Sequence, residues 1–273
     1  MASKARFLFL GSGSSMGIPM VACGCCVCRS SFPRNRRLRP SGLLEAGKRK
    51  ILFDVGPDFR RQALNCSLSS LDAVLLTHPH SDHTSGLDEL RAFYILRKTS
   101  IPCFLSKSTY EDLRMRFYYL FSDNGGNPKN SSNLTAQIRF RLFEGDRGEV
   151  SFLGMRFKYF TYSQGKMLVT GYRFSDFAYL TDIKEYPESI FEDLEGVKNL
   201  VIGAPCDYPC KMHLSIDEAV AFSRKVSAEY TWITHISHAV EHKKRSISLP
   251  SNVFLAYDGL ELKWQVKEQD IDE

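Results

Sequence analysis

The sequence predicts a layered α/β fold, with two sheets packed together and helices on their outer sides. Three observations predict it. Helix and strand signals alternate in the first part of the chain and again in the last. The segment between them, Leu134 to Asp182, reads as continuous β structure. No stretch has the composition of an interdomain linker, so residues 1–273 are read as a single domain with a sizeable core.

The elements follow in order. Short apolar runs bounded by turn residues mark strands at Phe7–Leu10, Ile51–Val55, Ala73–Thr77 and Cys103–Leu105. Ser85 with Asp88 resembles a capping box, opening a helix with Leu87, Leu90 and Tyr94 on one face; Ser108 with Glu111 repeats the signal before a helix from Tyr110 to about Leu120. Asp123-Asn124-Gly125-Gly126-Asn127-Pro128 is loop. Strands then run at Gln137–Phe143, Met155–Tyr162 and Leu168–Leu180. Pro187 and Gly196 bracket a helix, and Leu200–Gly203 is a buried strand. Ser215-Ile216-Asp217-Glu218 caps a helix to about Val226, Tyr230–Thr234 is a strand, and Asp258-Gly259 between apolar runs predicts a hairpin turn.

Composition narrows the setting. A formal net charge of +5 is mild and singles out no class of partner. No apolar run is long enough for a signal sequence or a membrane span, so no membrane association is expected and the protein is expected to be cytoplasmic. Four of the eight cysteines fall in six positions, Cys23, Cys25, Cys26 and Cys28, which in a reducing compartment points to metal binding and away from disulfides.

Chemistry concentrates in His78-Pro79-His80-Ser81-Asp82-His83, which holds three of the chain's seven histidines. A strand ends just before the run and a helix begins just after it. Two imidazoles, a carboxylate and a third imidazole therefore share one tight loop, a set that suits zinc, iron or manganese. The pattern His-x-His-x-Asp-His on such a loop resembles the metallo-β-lactamase superfamily. That resemblance implies a four-layered αβ/βα sandwich and a hydrolytic centre with one or two divalent ions, zinc or manganese. It also implies two later ligands, Asp182 in Tyr179-Leu180-Thr181-Asp182 and His235 in Trp232-Ile233-Thr234-His235.

Cys23, Cys25 and Cys28 form a Cys-x-Cys-x-x-Cys frame that needs one more ligand to close a tetrahedral zinc site. His238, three residues beyond His235, is the candidate, and the closed shell makes the zinc structural; Cys26 falls outside the frame. With this cluster, the runs Asn35-Arg36-Arg37-Leu38-Arg39-Pro40-Ser41 and Phe53-Asp54-Val55-Gly56-Pro57-Asp58, and the later pieces Gly171-Tyr172-Arg173, His213-Leu214-Ser215 and Ala256-Tyr257-Asp258-Gly259, the chain resembles the PhnP-like phosphoribosyl cyclic phosphodiesterases. The resemblance implies catalytic roles for Asp82 and for His213, the latter as the general acid.

Two positions depart from the family pattern. Gln164 stands where the family has a further metal-binding histidine, so the side of the site built on His78 and His80 is expected to hold its ion more loosely or to stay empty. Cys210 stands where relatives often carry a histidine. The expected activity is metal-dependent hydrolysis of a small cyclic or sugar phosphodiester. The alternatives are a nuclease acting on transfer RNA or DNA, with Arg34, Arg36, Arg37 and Arg39 as a basic run, and a catalytically weakened accessory protein. The oligomeric state stays open, a homodimer included.

Overall fold

Alternation along single strands decides the layering. In β1 (Ser3–Gly11) Phe7 and Phe9 face one side, Leu8 and Leu10 face the other, and all four are buried. A strand covered on both faces reads as a solid apolar run. The computed structural model describes residues 3–121 and 135–266; the loop expected at Asp123–Pro128 lies outside them. Among the described residues the strands form two seven-stranded sheets.

The first sheet holds β1, β2 (Ser41–Ala46), β3 (Arg49–Phe53), β4 (Ala73–Leu75), β5 (Ile101–Leu105), β6 (Ile138–Leu142) and the last strand, β14 (Glu261–Val266). Its order is β14-β1-β2-β3-β4-β5-β6, antiparallel as far as β3 and parallel from β3 to β6. The second holds β7 (Arg147–Phe152), β8 (Met155–Gln164), β9 (Met167–Phe174), β10 (Phe177–Leu180), β11 (Asn199–Gly203), β12 (Tyr230–Thr234) and β13 (Val253–Leu255). Here β7 to β10 are antiparallel and β10 to β13 parallel.

Aromatic rings join the sheets: Phe7 lies 4.8 Å from Phe177, and Phe53 lies 5.0 Å from Tyr179, centroid to centroid. On the outside of the first sheet, Leu8 and Leu10 pack with Phe59 of α1 (Phe59–Asn65), Phe93 of α3 (Arg91–Arg97) and Leu113 of α4 (Lys107–Arg116). A short α2 (Ser81–Thr84) precedes α3. On the outside of the second sheet, Leu200 and Ile202 pack with Ile190 of α5 (Ile190–Asp193) and with Ile216 and Phe222 of α6 (Ile216–Val226); α7 (His242–Ile247) follows. This is the four-layer αβ/βα sandwich. Burying each of these large side chains contributes about 1.5–3 kcal/mol. No helix among the described residues is long and apolar enough to cross a membrane.

Several local expectations change. Ser85 caps no helix; it closes α2, and a 3-10 turn over Leu87–Leu90 leads into α3. The 3-10 turn sets the buried Leu87 and Leu90 three positions apart, and α3, starting directly after it, buries Phe93, which takes the inward place expected for Tyr94. Ser106, not Ser108, caps α4, its hydroxyl accepting from the Thr109 N–H at 3.2 Å, and α4 stops at Arg116. Leu168–Leu180 is two strands, divided at Ser175 where φ is +55°. Asp258-Gly259 does turn the chain, but it carries it from β13 in one sheet to β14 in the other.

Candidate metal centre

The site forms where parallel strands end, as in other open α/β sheets. Asp54 follows β3, the run His78–His83 follows β4, Asp182 lies just past β10 and His235 follows β12. Gln164 ends β8, and His213 lies between β11 and α6. Three of these residues sit in left-handed backbone: φ is +58° at Asp54, +52° at Asp182 and +59° at His235. That conformation is costly for residues with a Cβ, and it concentrates at functional sites. Gly56 permits the loops to close, since a Cβ there would come within 2.1 Å of the Asp82 carbonyl oxygen.

Four side chains converge. His83 Nε2 lies 3.2 Å from both Asp82 Oδ2 and Asp182 Oδ2. His235 Nε2 lies 3.3 Å from the same two oxygens. All four residues are buried. The other nitrogen of His83 donates to Asp54 Oδ2 at 2.7 Å, and Asp54 is in turn held by the N–H and hydroxyl of Thr77. His83 Nε2 is left buried with no hydrogen-bond partner. That orphaned nitrogen, facing two carboxylates, fits a cation.

Electrostatics agree with the geometry. Burial alone would lower the pKa of His83, but the carboxylates of Asp82, Asp54 and Asp182 hold it well above the ordinary imidazole value. Burial would raise Asp182, and His235, His83 and His78 outweigh it, holding its carboxyl well below the usual range. A proton on His83 thus balances part of the buried negative charge. A divalent ion among these ligands would take that proton's place.

The remaining expected residues border this group. His78 is buried, its Nδ1 against the Thr77 hydroxyl and its Nε2 3.0 Å from Nδ1 of the half-buried His80. Gln164 is 3% exposed and donates from Nε2 to Asp182 Oδ1 at 2.9 Å. His213 stands beside both, with Nδ1 3.6 Å from Asp182 Oδ1 and Nε2 3.1 Å from Gln164 Nε2. Burial pushes His213 down to about 4, against the upward pull of Asp182. Cys210 lies on the same loop, its sulfur accepting from the Met212 N–H.

A second cluster stands apart. The Sγ atoms of Cys23, Cys25 and Cys28 and a ring nitrogen of His238 all lie within 4.8 Å of one another, with His238 Nδ1 3.2 Å from Cys23 Sγ and 3.5 Å from Cys25 Sγ. The Cys28 N–H and then His238 lower Cys25 to about 6, toward the thiolate a metal needs. His235 and His238 thus serve different clusters, and Cys26 is exposed outside both.

A model of the Beta-lactamase superfamily domain matches residues 49–236. The chain belongs to the metallo-β-lactamase superfamily. Within it, the chain is 33% identical to a diphosphatase from the PhnP family, whose crystal structure superposes with a TM-score of 0.88 over 97% of this chain and 99% of that one. An octanoyltransferase of Porphyromonas gingivalis (strain ATCC BAA-308 / W83) is 34% identical over 270 residues, 94% of this chain and 51% of that protein. A ribonuclease Z of Bradyrhizobium sp. (strain ORS 278) is 37% identical over 73 residues, 26% of this chain and 24% of that protein. The chain spans about half the length or less of these curated relatives, so half of the octanoyltransferase lies outside the match.

Sequence reasoning missed Asp54 and Thr77 as parts of this metallo-β-lactamase centre, although Asp54 is its deepest carboxylate. It also placed four arginines in one basic run. The structure divides them. Arg37 is 2% exposed and bonds Ser12 Oγ, the Ala256 carbonyl and His242 Nδ1, while Arg39 pairs with Asp58 at 2.9 Å. Arg34 stacks on Tyr257, and Arg36 is exposed.

Proposed function

We propose that the chain is a metal-dependent hydrolase that cleaves a small cyclic or sugar phosphodiester. The observation that carries this reading is the buried convergence of Asp82, His83, Asp182 and His235 around an unpartnered His83 Nε2. These residues would hold a divalent ion, zinc or manganese, with His78 and His80 beside them. Bound there, the ion supplies a Lewis acid for the phosphoryl oxygens and lowers the pKa of a water. The protein's own part is orientation and proton movement. Asp54 fixes the ring of His83, and Thr181 donates to Asp182 Oδ2 at 2.7 Å.

His213 is the proton carrier. It is less buried than its neighbours and lies within reach of whatever approaches Asp182. Its imidazole is neutral at neutral pH in the free protein, and a phosphoryl group arriving beside it would raise its proton affinity. It then donates to the leaving oxygen. Cys23, Cys25, Cys28 and His238 would hold a structural zinc, which leaves no position for substrate.

The test is hydrolysis of a panel of small cyclic and chromogenic phosphodiesters by the purified chain, before and after chelation. Chelation or Asp182→Ala should lower the rate at least about a thousandfold, on the scale of removing a main catalytic group. A wild-type rate no higher than that of Asp182→Ala across the panel would refute the reading. The match to a ribonuclease Z favours a second reading, a nuclease. RNA binding that weakens steeply with salt, together with RNA cleavage and no turnover of small diesters, would select it.

A further inference from the structure

The two oxygens of Asp182 do different work. Oδ2 faces His83 and His235 beside Asp82, at 3.2–3.3 Å, and also accepts from the Thr181 hydroxyl at 2.7 Å. Oδ1 accepts a hydrogen bond from Gln164 Nε2 at 2.9 Å. We propose that this active centre takes a single divalent ion, on Asp82, His83, Asp182 and His235. Gln164 is a positioning residue that occupies the second ion's place with hydrogen bonds. The inference rests on the metal-dependent reading above and adds the number of ions.

Three features support it. An amide nitrogen has two hydrogens to donate and no lone pair for a metal. For Gln164 to become a ligand its amide must turn, bringing Oε1 against Asp182 Oδ1 and giving up a hydrogen bond to a charged acceptor. Such a bond is worth about one to two factors of ten in affinity. Next, His78 Nε2 and His80 Nδ1 are 3.0 Å apart and bond to each other, and the second nitrogen of His78 is taken by Thr77. His80 joins none of the groups of three His, Cys, Asp or Glu ligand atoms lying within 4.8 Å of one another among the described residues.

Finally, Gln164 Nε2 lies 3.1 Å and 3.3 Å from the two ring nitrogens of His213. Its two N–H groups thus tie Asp182 to His213, and Gln164 Oε1 is buried without a partner. The amide links the ion's carboxylate to the proton carrier, a task that an imidazole bound to a second ion could not do.

The experiment is electron paramagnetic resonance of the full chain loaded with Mn²⁺, with manganese counted per chain. Two ions in such a centre sit about 3.5–4 Å apart and couple magnetically. The wild type is expected to give the six-line spectrum of an isolated ion. Gln164→His should bind one more manganese and show a coupled pair. If that variant does not fold, Gln164→Glu, which sets a second carboxylate against Asp182, carries the same expectation. A coupled pair in the wild type overturns the inference, as does an isolated-ion spectrum in both Gln164 variants. A wild type that retains no more manganese than Asp182→Ala overturns instead the metal-dependent reading beneath it.

Discussion

At the scale of single residues, the converging side chains rest on a carboxylate buried behind them. Asp54 is fully buried and spends one oxygen on His83 Nδ1 and the other on Thr77. That bond selects the His83 tautomer whose Nε2 faces Asp82 and Asp182. Asp54→Asn should therefore weaken metal binding about 10–100-fold, the usual cost of removing such an orienting partner. Competition with a fluorescent chelator measures this, and an unchanged affinity would show that packing alone orients the ring. His78, His80, Asp82 and His83 were legible because they fall within six positions, so one loop must gather them. Asp54 was not, because its partner is 29 positions away and a left-handed turn aims it. Asp182 and His235 were legible only through resemblance: an aspartate or histidine after a strand carries no local sign of a positive φ.

At the scale of elements, the reading succeeded where a signal is local and complete. Ser215 and Glu218 form the expected capping box, with Ser215 Oγ accepting from the Glu218 N–H at 3.2 Å and Glu218 Oε2 accepting from the Ser215 N–H at 2.7 Å. It failed at Ser85, where the residue pattern matches but the preceding four residues are already helical. Ser215→Ala should cost about 1 kcal/mol, read by denaturant unfolding. The box should also be sensitive to acid. Burial raises the pKa of Glu218, but the Ser215 N–H and Lys184 outweigh it and leave the carboxyl below its ordinary value of 4.5. A depressed carboxyl stabilises the fold above that ordinary value and loses the contribution as pH falls through the folded value. The stability advantage of the wild type over Glu218→Gln should thus be full at pH 7 and vanish in the acid range. An advantage that stayed constant with pH would assign the effect to packing.

At the scale of the whole molecule, the cysteine cluster joins segments that the sheets leave apart. Cys23, Cys25 and Cys28 lie in the excursion between β1 and β2, and His238 lies past β12, more than 200 positions along the chain. The same region is tied by Arg37 to Ser12, Ala256 and His242, and by Asp258, whose carboxylate accepts from the Ser12 and Leu38 N–H groups. The turn at Asp258 read as a hairpin because its residues match one. Its long-range bonds, which nothing local encodes, make it a junction between sheets. His238 is three residues from His235, so a zinc held on the cysteines would also steady His235. With zinc at about a hundred times its Kd, the bound ion contributes about 2.7 kcal/mol, or roughly 5–10 °C of Tm. Cys25→Ser should lose one zinc per chain, melt lower by about that amount, and bind manganese at the catalytic centre more weakly. Asp182→Ala should lose the catalytic ion and keep the zinc. Should Cys25→Ser keep its melting temperature while losing zinc, the cluster is not a staple, and the Arg37 and Asp258 network alone holds this end of the sandwich together.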